Sequence, residues 1–144
     1  MGCVFCAIVA GTEPAAVVLE DDSCVAFLDQ RPLFEGHVLV VPREHHETLM
    51  DLPLDQVGSL FERVRALEAA IESAMGAQGT FVAINNRVSQ SVPHLHVHVV
   101  PRTKGDGLKG FFWPRTRYRD ESRVDEVRAA IAAAYQHRGD ETPR

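Results

Sequence analysis

The sequence contains no apolar run close to the roughly 20 residues that a membrane-spanning helix requires. Its first residues, MGCVFCAIVAGTEP, lack the basic start and long apolar core of a secretory signal peptide. Basic side chains are in the minority, with 15 lysines and arginines against 20 acidic residues, and this balance argues against a general nucleic-acid binder. We therefore expect a cytoplasmic protein with no membrane partner, for which nucleic acid is a disfavoured partner.

Cysteine is also scarce, since the chain has only Cys3, Cys6 and Cys24. An odd number in a chain without an export signal argues against a disulfide framework. Cys3 and Cys6 form a C-x-x-C pair, which is typical of metal binding or of redox chemistry. Redox use needs a following helix in a βαβ order, and the predicted elements lack that order. Cys24 lies in a predicted strand, where we expect a small buried side chain.

Apolar periodicity predicts five strands and two helices. Short apolar runs indicate strands at residues 17–19, 24–28, 36–41, 80–85 and 94–100. Apolar residues at three- and four-residue steps indicate a helix over 54–75, with Asp55 as its N-cap and Gly76 at its end, and a second helix over 121–138. This order predicts an α+β fold with a five-stranded antiparallel sheet, in a single domain over residues 1–144.

The stretch SVPHLHVHVVPR places His94, His96 and His98 at alternate positions. In a strand these side chains share one face, at spacings of about 6.6 to 7 Å, while the apolar residues between them fill the core. Three interpretations remain open from the residues alone. The strand is a half-exposed one that happens to be rich in histidine, or an H-x-H pair holds a catalytic metal, or an imidazole attacks phosphorus as a nucleophile.

The longer stretch QSVPHLHVHVVPR resembles the signature of the HIT (histidine triad) family, in which three histidines alternate with apolar residues. The resemblance extends upstream through CVFCAIVAGTEPAAVVLEDDSCVAFLDQRPLFEGHVLVVPREHHETLMDL and covers about residues 3–102. It implies a HIT-like fold that forms a homodimer. It also implies cleavage at the α-phosphate of a nucleotide through a covalent nucleotidyl-histidine.

The resemblance assigns catalytic roles to three histidines. His96, the middle residue of the triad, matches the nucleophile, and His98 would assist at the phosphate and the leaving group. His37, in EGHVLVVP, matches a position near the active site, although a histidine beside a glycine is also ordinary strand filler.

The resemblance also implies a set of substrate-binding residues. They are Asp29 for the ribose hydroxyls, Phe27 and Leu28 for the base, Asn85 for the substrate, and Gln90 and Ser91 for the phosphate or leaving group. A carboxylate accepts two hydroxyl hydrogen bonds well, so the chemistry of Asp29 fits, and the alternative is a turn residue. The loop NNRVSQSVP departs from the family because it has no glycine, and Arg87 stands where small residues are common.

In many bacterial members of the family an N-terminal C-x-x-C joins two histidines to hold a structural zinc. The matching residues here are Cys3, Cys6, His45 and His94, with His46 as a competitor for the role of His45. Two thiolates and two imidazoles suit tetrahedral Zn²⁺, and four protein ligands leave no open position for a catalytic water. The resemblance therefore implies a zinc that orders the otherwise loose N-terminus.

Residues 1–102 are expected to form the core with the triad, followed by a loop over 103–120 and the helix over 121–138. The loop interleaves basic and aromatic residues, including Phe111, Phe112 and Trp113. It is either a lid over a nucleotide with several phosphates or an anchor in the core or in a dimer interface.

The resulting hypothesis is an enzyme that takes a purine nucleotide substrate, with dinucleoside polyphosphates such as diadenosine tetraphosphate as the leading class. Nucleoside phosphoramidates and adenylylated small molecules come next. A non-catalytic nucleotide-binding partner protein and a catalytic-metal hydrolase are the alternatives from other classes.

Overall fold

The computed structural model describes residues 2–109 and 115–139, and it describes no side chains for residues 137–139. The chain divides into two compact units, residues 1–106 and residues 107–144. The first unit contains α1 (Val4–Val9), β1 (Val17–Glu20), β2 (Cys24–Leu28), β3 (Val38–Pro42), a 3₁₀ turn (Leu49–Asp51), α2 (Leu54–Met75), β4 (Gly79–Ala83) and β5 (Val97–Arg102). The second unit contains α3 (Glu121–Gly139).

The five strands form one sheet in the order β1-β2-β3-β5-β4, and every neighbouring pair is antiparallel. The turn between β1 and β2 is fixed by Asp21, whose carboxylate accepts hydrogen bonds from the backbone N–H groups of Ser23 and Cys24 at 2.9 and 3.0 Å. Such Asx turns are a common reason for aspartate before a hairpin strand. The prediction of an α+β fold with a five-stranded antiparallel sheet is confirmed.

Helix α2 covers one face of the sheet, as its apolar periodicity predicts. Leu60, Val64, Leu67 and Ile71 recur at three- and four-residue steps and are buried. They share a core with the β5 region, to which Leu95, Val97 and Val99 contribute. Burial of each such side chain stabilises the fold by about 2 kcal/mol. The helix ends at Gly76, where φ is 62°, a left-handed conformation that glycine adopts without strain.

The opposite face of the sheet carries a second core, which is closed by α1. Phe5 from α1 packs edge-on against Phe27 of β2, with ring centroids 5.4 Å apart, and Leu39 and Val41 of β3 complete the cluster. The predicted count of two helices was wrong, because the described residues contain three. Six residues are too few to establish a helical period, so the apolar spacing within α1 did not identify it as a helix.

The triad lies only partly in a strand, which corrects the prediction of a strand over 94–100. Strand β5 begins at Val97, because the backbone N–H of His94 bonds to Val92 O at 2.8 Å and that of Leu95 to His46 O at 2.6 Å, outside the ladder. The alternation of faces nevertheless holds. Leu95 and Val97 enter the α2 core, whereas the rings of His94 and His96 contact Phe5 on the other side.

The ends of several predicted elements were also wrong. Strand β5 continues past Pro101 to Arg102, and β3 runs over Val38–Pro42 instead of 36–41. Strand β4 ends at Ala83, which leaves Asn85 in the following loop. Pro53, rather than Asp55, occupies the N-cap of α2, and Asp55 lies in the first turn. A carboxylate there still favours the helix through its dipole.

The second unit consists of the loop residues around 115–120 and α3. The predicted helix over 121–138 is confirmed with one further residue. Its apolar residues Val124, Ile131 and Tyr135 are exposed. None of the described helices has the length and apolar character needed to cross a bilayer.

Candidate active site

The first unit contains a cavity of about 400 Å³ beside α1, on the face of the sheet that carries the histidines. Its walls come from α1, from β2 and the segment after it, and from the triad region. The lining residues are Val4, Phe5, Ile8, Glu13, Ala15, Phe27, Leu28, Asp29, Gln30, Arg31, Leu39, Ser91, Val92, His96 and His98. One part of the wall is therefore apolar and aromatic, and the rest carries imidazoles, a hydroxyl, an amide, a guanidinium and two carboxylates, a mixture found in small-molecule binding sites.

His96 reaches this cavity with one ring nitrogen already engaged. Its Nδ1 lies 2.7 Å from the backbone oxygen of His94. A carbonyl oxygen only accepts, so Nδ1 carries the hydrogen and donates it. In the neutral ring Nε2 then has a free lone pair. The side chain is 3% exposed and packs edge-on against Phe5 at 5.1 Å, so its orientation is fixed.

His98 and His37 form a chain of hydrogen bonds that sets the tautomer of both rings. The backbone N–H of Leu33 donates to His37 Nδ1 at 3.1 Å, so neutral His37 carries its hydrogen on Nε2. His37 Nε2 lies 3.0 Å from His98 Nδ1 and donates to it. His98 therefore carries its own hydrogen on Nε2, and this donor is the one it can present to the cavity.

Both rings are neutral near pH 7. Burial, together with the neighbouring rings of His96 and His37, lowers the pKa of His98 to about 4, against the opposing effect of Asp29. Burial also lowers the pKa of His37, again partly offset by Asp29. The N–H of His98 is therefore a hydrogen-bond donor that carries no full positive charge.

Asp29 lies beside this chain and on the cavity wall. One carboxylate oxygen accepts from the backbone N–H of Arg31 at 2.8 Å, and the other lies 3.7 Å from His37 Nε2. Asp29, His37 and His98 are close enough together to be considered as metal ligands. However, the facing nitrogens of His37 and His98 are joined by a hydrogen bond, and this favours a relay over a metal site.

Four other side chains form a cluster with the donor set of a zinc site. Cys3 Sγ and Cys6 Sγ each lie 3.5 Å from His94 Nδ1, and Cys6 Sγ lies 3.3 Å from His45 Nδ1. The corresponding edge of a tetrahedral zinc site is about 3.6 Å, given bond lengths of about 2.3 and 2.05 Å. All four ligand atoms lie within 4.8 Å of one another, so the residues fit Zn²⁺.

The surroundings of His94 also suit a ligand. Its Nε2 donates to Pro42 O at 3.0 Å, which leaves the Nδ1 lone pair facing the thiols, a typical arrangement around metal-bound histidine. Burial lowers the pKa of His94, so the ring is neutral. Burial and the adjacent Cys3 raise the pKa of the Cys6 thiol, and a cation would offset this effect by favouring the thiolate.

The remaining predicted residues separate into two groups. Phe27, Leu28 and Ser91 line the cavity. Asn85 and Gln90 do not appear on its wall. The amide of Gln90 instead fastens the loop before the triad, because it accepts from Arg87 N at 2.8 Å and donates to Glu47 O at 2.6 Å.

That loop holds two non-glycine residues in the left-handed region, Arg87 with φ of 69° and Ser89 with φ of 59°. Such a conformation is uncommon and costs of order 1 to 3 kcal/mol, so it persists only where its surroundings enforce it. The glycine-free loop thus bends where a glycine would bend without strain, and the bonds of Gln90 hold it in place.

Sequence reasoning missed the contribution of α1 to the cavity. Val4, Phe5 and Ile8 line it, and Val4 and Phe5 are the two residues between the cysteines of the C-x-x-C pair. The only available signal was the apolar spacing of these three residues. Of the basic and aromatic loop, which was predicted to be a lid or an anchor, Phe111, Phe112 and Trp113 lie outside the described residues.

The geometry defines a class of protein, namely a small α+β protein in which an oriented histidine faces a nucleotide-sized cavity. A family model described as HIT domain matches residues 10–105. The chain therefore belongs to the HIT domain family, and the expectation from the triad is confirmed. This membership places it among the nucleotide hydrolases and transferases of that family.

Curated relatives support the same assignment. An uncharacterized HIT-like protein of Methanocaldococcus jannaschii is 40% identical over 107 residues, which are 73% of this chain and 82% of the relative. An adenylylsulfatase of Arabidopsis thaliana is 36% identical, over 74% of this chain and 55% of the relative. An asymmetrical bis(5'-nucleosyl)-tetraphosphatase of Schizosaccharomyces pombe is 39% identical, over 56% of this chain and 46% of the relative.

Solved structures share the fold. A member of the HIT family from Bacillus subtilis has a TM-score of 0.82 and 32% identity, and the match covers 92% of this chain and 96% of that one. A Zn-bound histidine triad family protein from Mycobacterium smegmatis has a TM-score of 0.72 and 38% identity, covering 95% and 98%.

Proposed function

We propose that the protein cleaves nucleotides at the α-phosphate through a covalent intermediate on His96. The observation that carries the proposal is the 2.7 Å bond from His96 Nδ1 to His94 O, which leaves the Nε2 lone pair for the cavity. A neutral, oriented imidazole is a competent nucleophile toward phosphorus. The hydrolase names of two relatives support this class of reaction.

The first step forms a bond from His96 Nε2 to the α-phosphorus and breaks the bond from phosphorus to the leaving oxygen. The electron pair departs with that oxygen. In the second step water adds to phosphorus and releases a proton, and the electron pair of the P–N bond returns to Nε2. An acceptor hydroxyl in place of water would make the reaction a transfer.

His98 acts by hydrogen bonding in this scheme. Its Nε2–H can donate to the phosphate or leaving oxygen, where negative charge develops. Because its pKa is about 4, it does not hold a second proton to give away at neutral pH. A neutral His98 therefore suits a leaving group that departs as a stable anion, because such a group needs no proton.

This requirement favours phosphoanhydrides as substrates. A dinucleoside polyphosphate such as diadenosine tetraphosphate releases a nucleotide anion that needs no proton. Adenylylated acids share this property, whereas an amine leaving group from a phosphoramidate must be protonated. Dinucleoside polyphosphates are therefore the leading substrate class, and phosphoramidates come second.

The other predicted residues receive supporting roles. Asp29 binds the ribose hydroxyls, because its carboxylate lies on the cavity wall near the catalytic rings. Phe27 and Leu28 contact the purine base, and Ser91 contacts the phosphate. The N–H donor from His37 keeps His98 in its productive tautomer.

A structural zinc is part of the proposal, held by Cys3, Cys6, His45 and His94. The geometry of these residues and the zinc-bound neighbour from Mycobacterium smegmatis support it. When bound, the ion would supply no Lewis acid to the reaction, because four protein ligands close its coordination. We also propose a homodimer, on the family resemblance alone.

The test is turnover of diadenosine tetraphosphate, followed through release of AMP and ATP. His96→Gly should lower kcat by at least about 10³-fold, a loss typical for removal of a nucleophile. Added imidazole should restore part of the activity by occupying the space left by the side chain.

Glu35→Ala, at an exposed position that does not line the cavity, serves as the control and should retain full activity. Turnover unchanged in His96→Gly would remove His96 as the nucleophile. Nucleotide binding without turnover of any α-linked nucleotide would instead indicate a binding protein.

A further inference from the structure

The cavity wall carries a second carboxylate, and the reaction proposed above does not use it. Glu13 lines the cavity near Ile8 and Ala15. Its side chain is exposed, and none of the ion pairs or side-chain hydrogen bonds among the described residues engages it. A charged group without a protein partner at the lip of a binding cavity is free to bind a ligand.

The backbone holds Glu13 in place even though its side chain is exposed. Glu13 N donates to Ala7 O at 3.2 Å, and Thr12 N donates to the same oxygen at 2.9 Å. The hydroxyl of Thr12 adds a third bond to that carbonyl at 3.2 Å. Pro14 follows and restricts the chain further. The carboxylate therefore extends from a fixed point at the C-terminal end of α1.

This point lies away from the phosphate-binding part of the cavity. The ring of His96 packs against Phe5 at 5.1 Å. Ile8 is one turn further along α1, about 4.5 Å from Phe5 along the helix axis, and Glu13 adjoins the end of the helix beyond it. The apolar wall of Phe5 and Ile8 thus separates the carboxylate from the site of the phosphate anion, which it would otherwise repel.

We propose that Glu13 determines base specificity by accepting hydrogen bonds from the outer edge of the nucleobase, and that it selects guanine over adenine. A carboxylate only accepts hydrogen bonds. Guanine presents two adjacent donors, N1–H and the 2-amino group, to both carboxylate oxygens, in the bidentate manner that strengthens such pairs. Adenine presents a donor beside an acceptor, N1, which faces the carboxylate unfavourably. This inference rests on the proposed function, since it requires a nucleotide in the cavity.

Binding of GMP and AMP, measured by calorimetry, tests the role of Glu13 without turnover. The wild-type protein should bind GMP about tenfold more tightly than AMP, an effect expected for two charge-assisted bonds at an exposed site. Glu13→Ala should bring the two affinities together by weakening GMP. Glu13→Gln should also bring the two affinities together, because its amide can pair with N1 and the 6-amino group of adenine and equally with O6 and N1–H of guanine.

Glu35→Ala is the matched control, since it removes an exposed glutamate that does not line the cavity, and it should leave both affinities unchanged. Equal affinities of the wild-type protein for GMP and AMP would overturn the role of Glu13. An equal loss of both nucleotides in Glu13→Ala would overturn it as well. Failure of the wild-type protein to bind any nucleotide would overturn the proposed function itself, so the two failures are distinguishable.

Discussion

At the scale of single residues, the site depends on which nitrogen of each imidazole carries the hydrogen. Backbone groups decide this for two rings, since His94 O accepts from His96 Nδ1 and Leu33 N–H donates to His37 Nδ1. His37 then transmits the choice to His98. The cavity consequently receives one lone pair and one N–H donor, which are the two functions that attack at phosphorus requires.

Replacement of His37 tests this tautomer relay. His37→Phe removes the donor to His98 Nδ1 and leaves the cavity wall intact, because His37 does not line it. We expect kcat on diadenosine tetraphosphate to fall by about 10- to 100-fold, the usual effect of losing an orienting hydrogen bond, while KM changes little. The ¹⁵N shifts of His98 should show a change from its Nε2–H tautomer to a mixture.

An unchanged kcat in His37→Phe, with the Nε2–H tautomer of His98 retained, would contradict the relay. Loss of folding would not serve as evidence for it, so far-ultraviolet circular dichroism must first match the wild type. His37→Gln is the conservative companion, because its amide can donate to His98 and should recover part of kcat.

At the scale of elements, α1 connects the cysteine and histidine cluster to the cavity. Cys3 and Cys6 lie at the start of α1 and face His94, while Phe5 and Ile8 of the same helix line the cavity. A helix of six residues is too short to be stable alone in water. Its position therefore depends on the core contacts of Phe5 and on the cysteine and histidine cluster.

Metal removal tests this dependence. Treatment with a strong chelator should lower the Tm, speed hydrogen exchange in residues 4–9 and weaken nucleotide binding, because structural zinc sites contribute directly to folding free energy. The double variant Cys3→Ser, Cys6→Ser should reproduce these effects and show no further response to chelation. Metal analysis that finds no zinc in the purified protein, with no response to chelation, would contradict the zinc proposal.

Some helices and strands were predictable from the sequence and others were not. Helix α2 and strands β2 and β3 were recognisable because their apolar residues repeat with a clear period over enough positions. Helix α1 was not recognisable, since its six residues are too few to show a repeat. Its burial arises from the contact of Phe5 with Phe27, which lies on a strand distant in the sequence. The start of β5 was not predictable either, because the backbone N–H of Leu95 bonds to a loop residue, at His46 O, and not to a neighbouring strand.

The candidate site was predictable to a similar degree. Family resemblance placed Asp29, His96 and His98 together, and the structure brings all three onto one cavity wall. Resemblance could not show that the amide of Gln90 is occupied by its own loop. Resemblance also could not place Glu13 on the cavity wall, because the position of Glu13 depends on how the segment after α1 folds back to Ala7 O.

At the scale of the whole molecule, buried histidines make stability depend on pH. The pKa of His98 is about 4 in the folded protein, against an ordinary value of 6.5. The unfolded chain therefore takes up a proton on this residue at a higher pH than the folded protein does. The contribution of His98 to stability is fully present above about pH 6.5 and is lost as the pH falls toward 4.

Thermal unfolding between pH 4 and pH 7 checks this sign. The Tm should fall as the pH decreases through this range, and His98→Asn should flatten the decrease, because an amide does not titrate. His96, His37 and Asp29 also face the ring and act on its charge, so the comparison is between the slopes of the two proteins. A wild-type Tm that stays constant or rises as the pH falls would contradict the neutral, buried state of His98.

The central claim is that His96 Nε2 forms a bond to the α-phosphorus, and trapping that bond tests it most directly. The enzyme would be mixed with diadenosine tetraphosphate, quenched in alkali, which preserves P–N bonds, and analysed by peptide mass spectrometry. We expect an adenylyl group on His96 that is absent in His96→Gly. Steady turnover with an adduct on a different residue, or with water incorporated at phosphorus in a single inverting step, would contradict it.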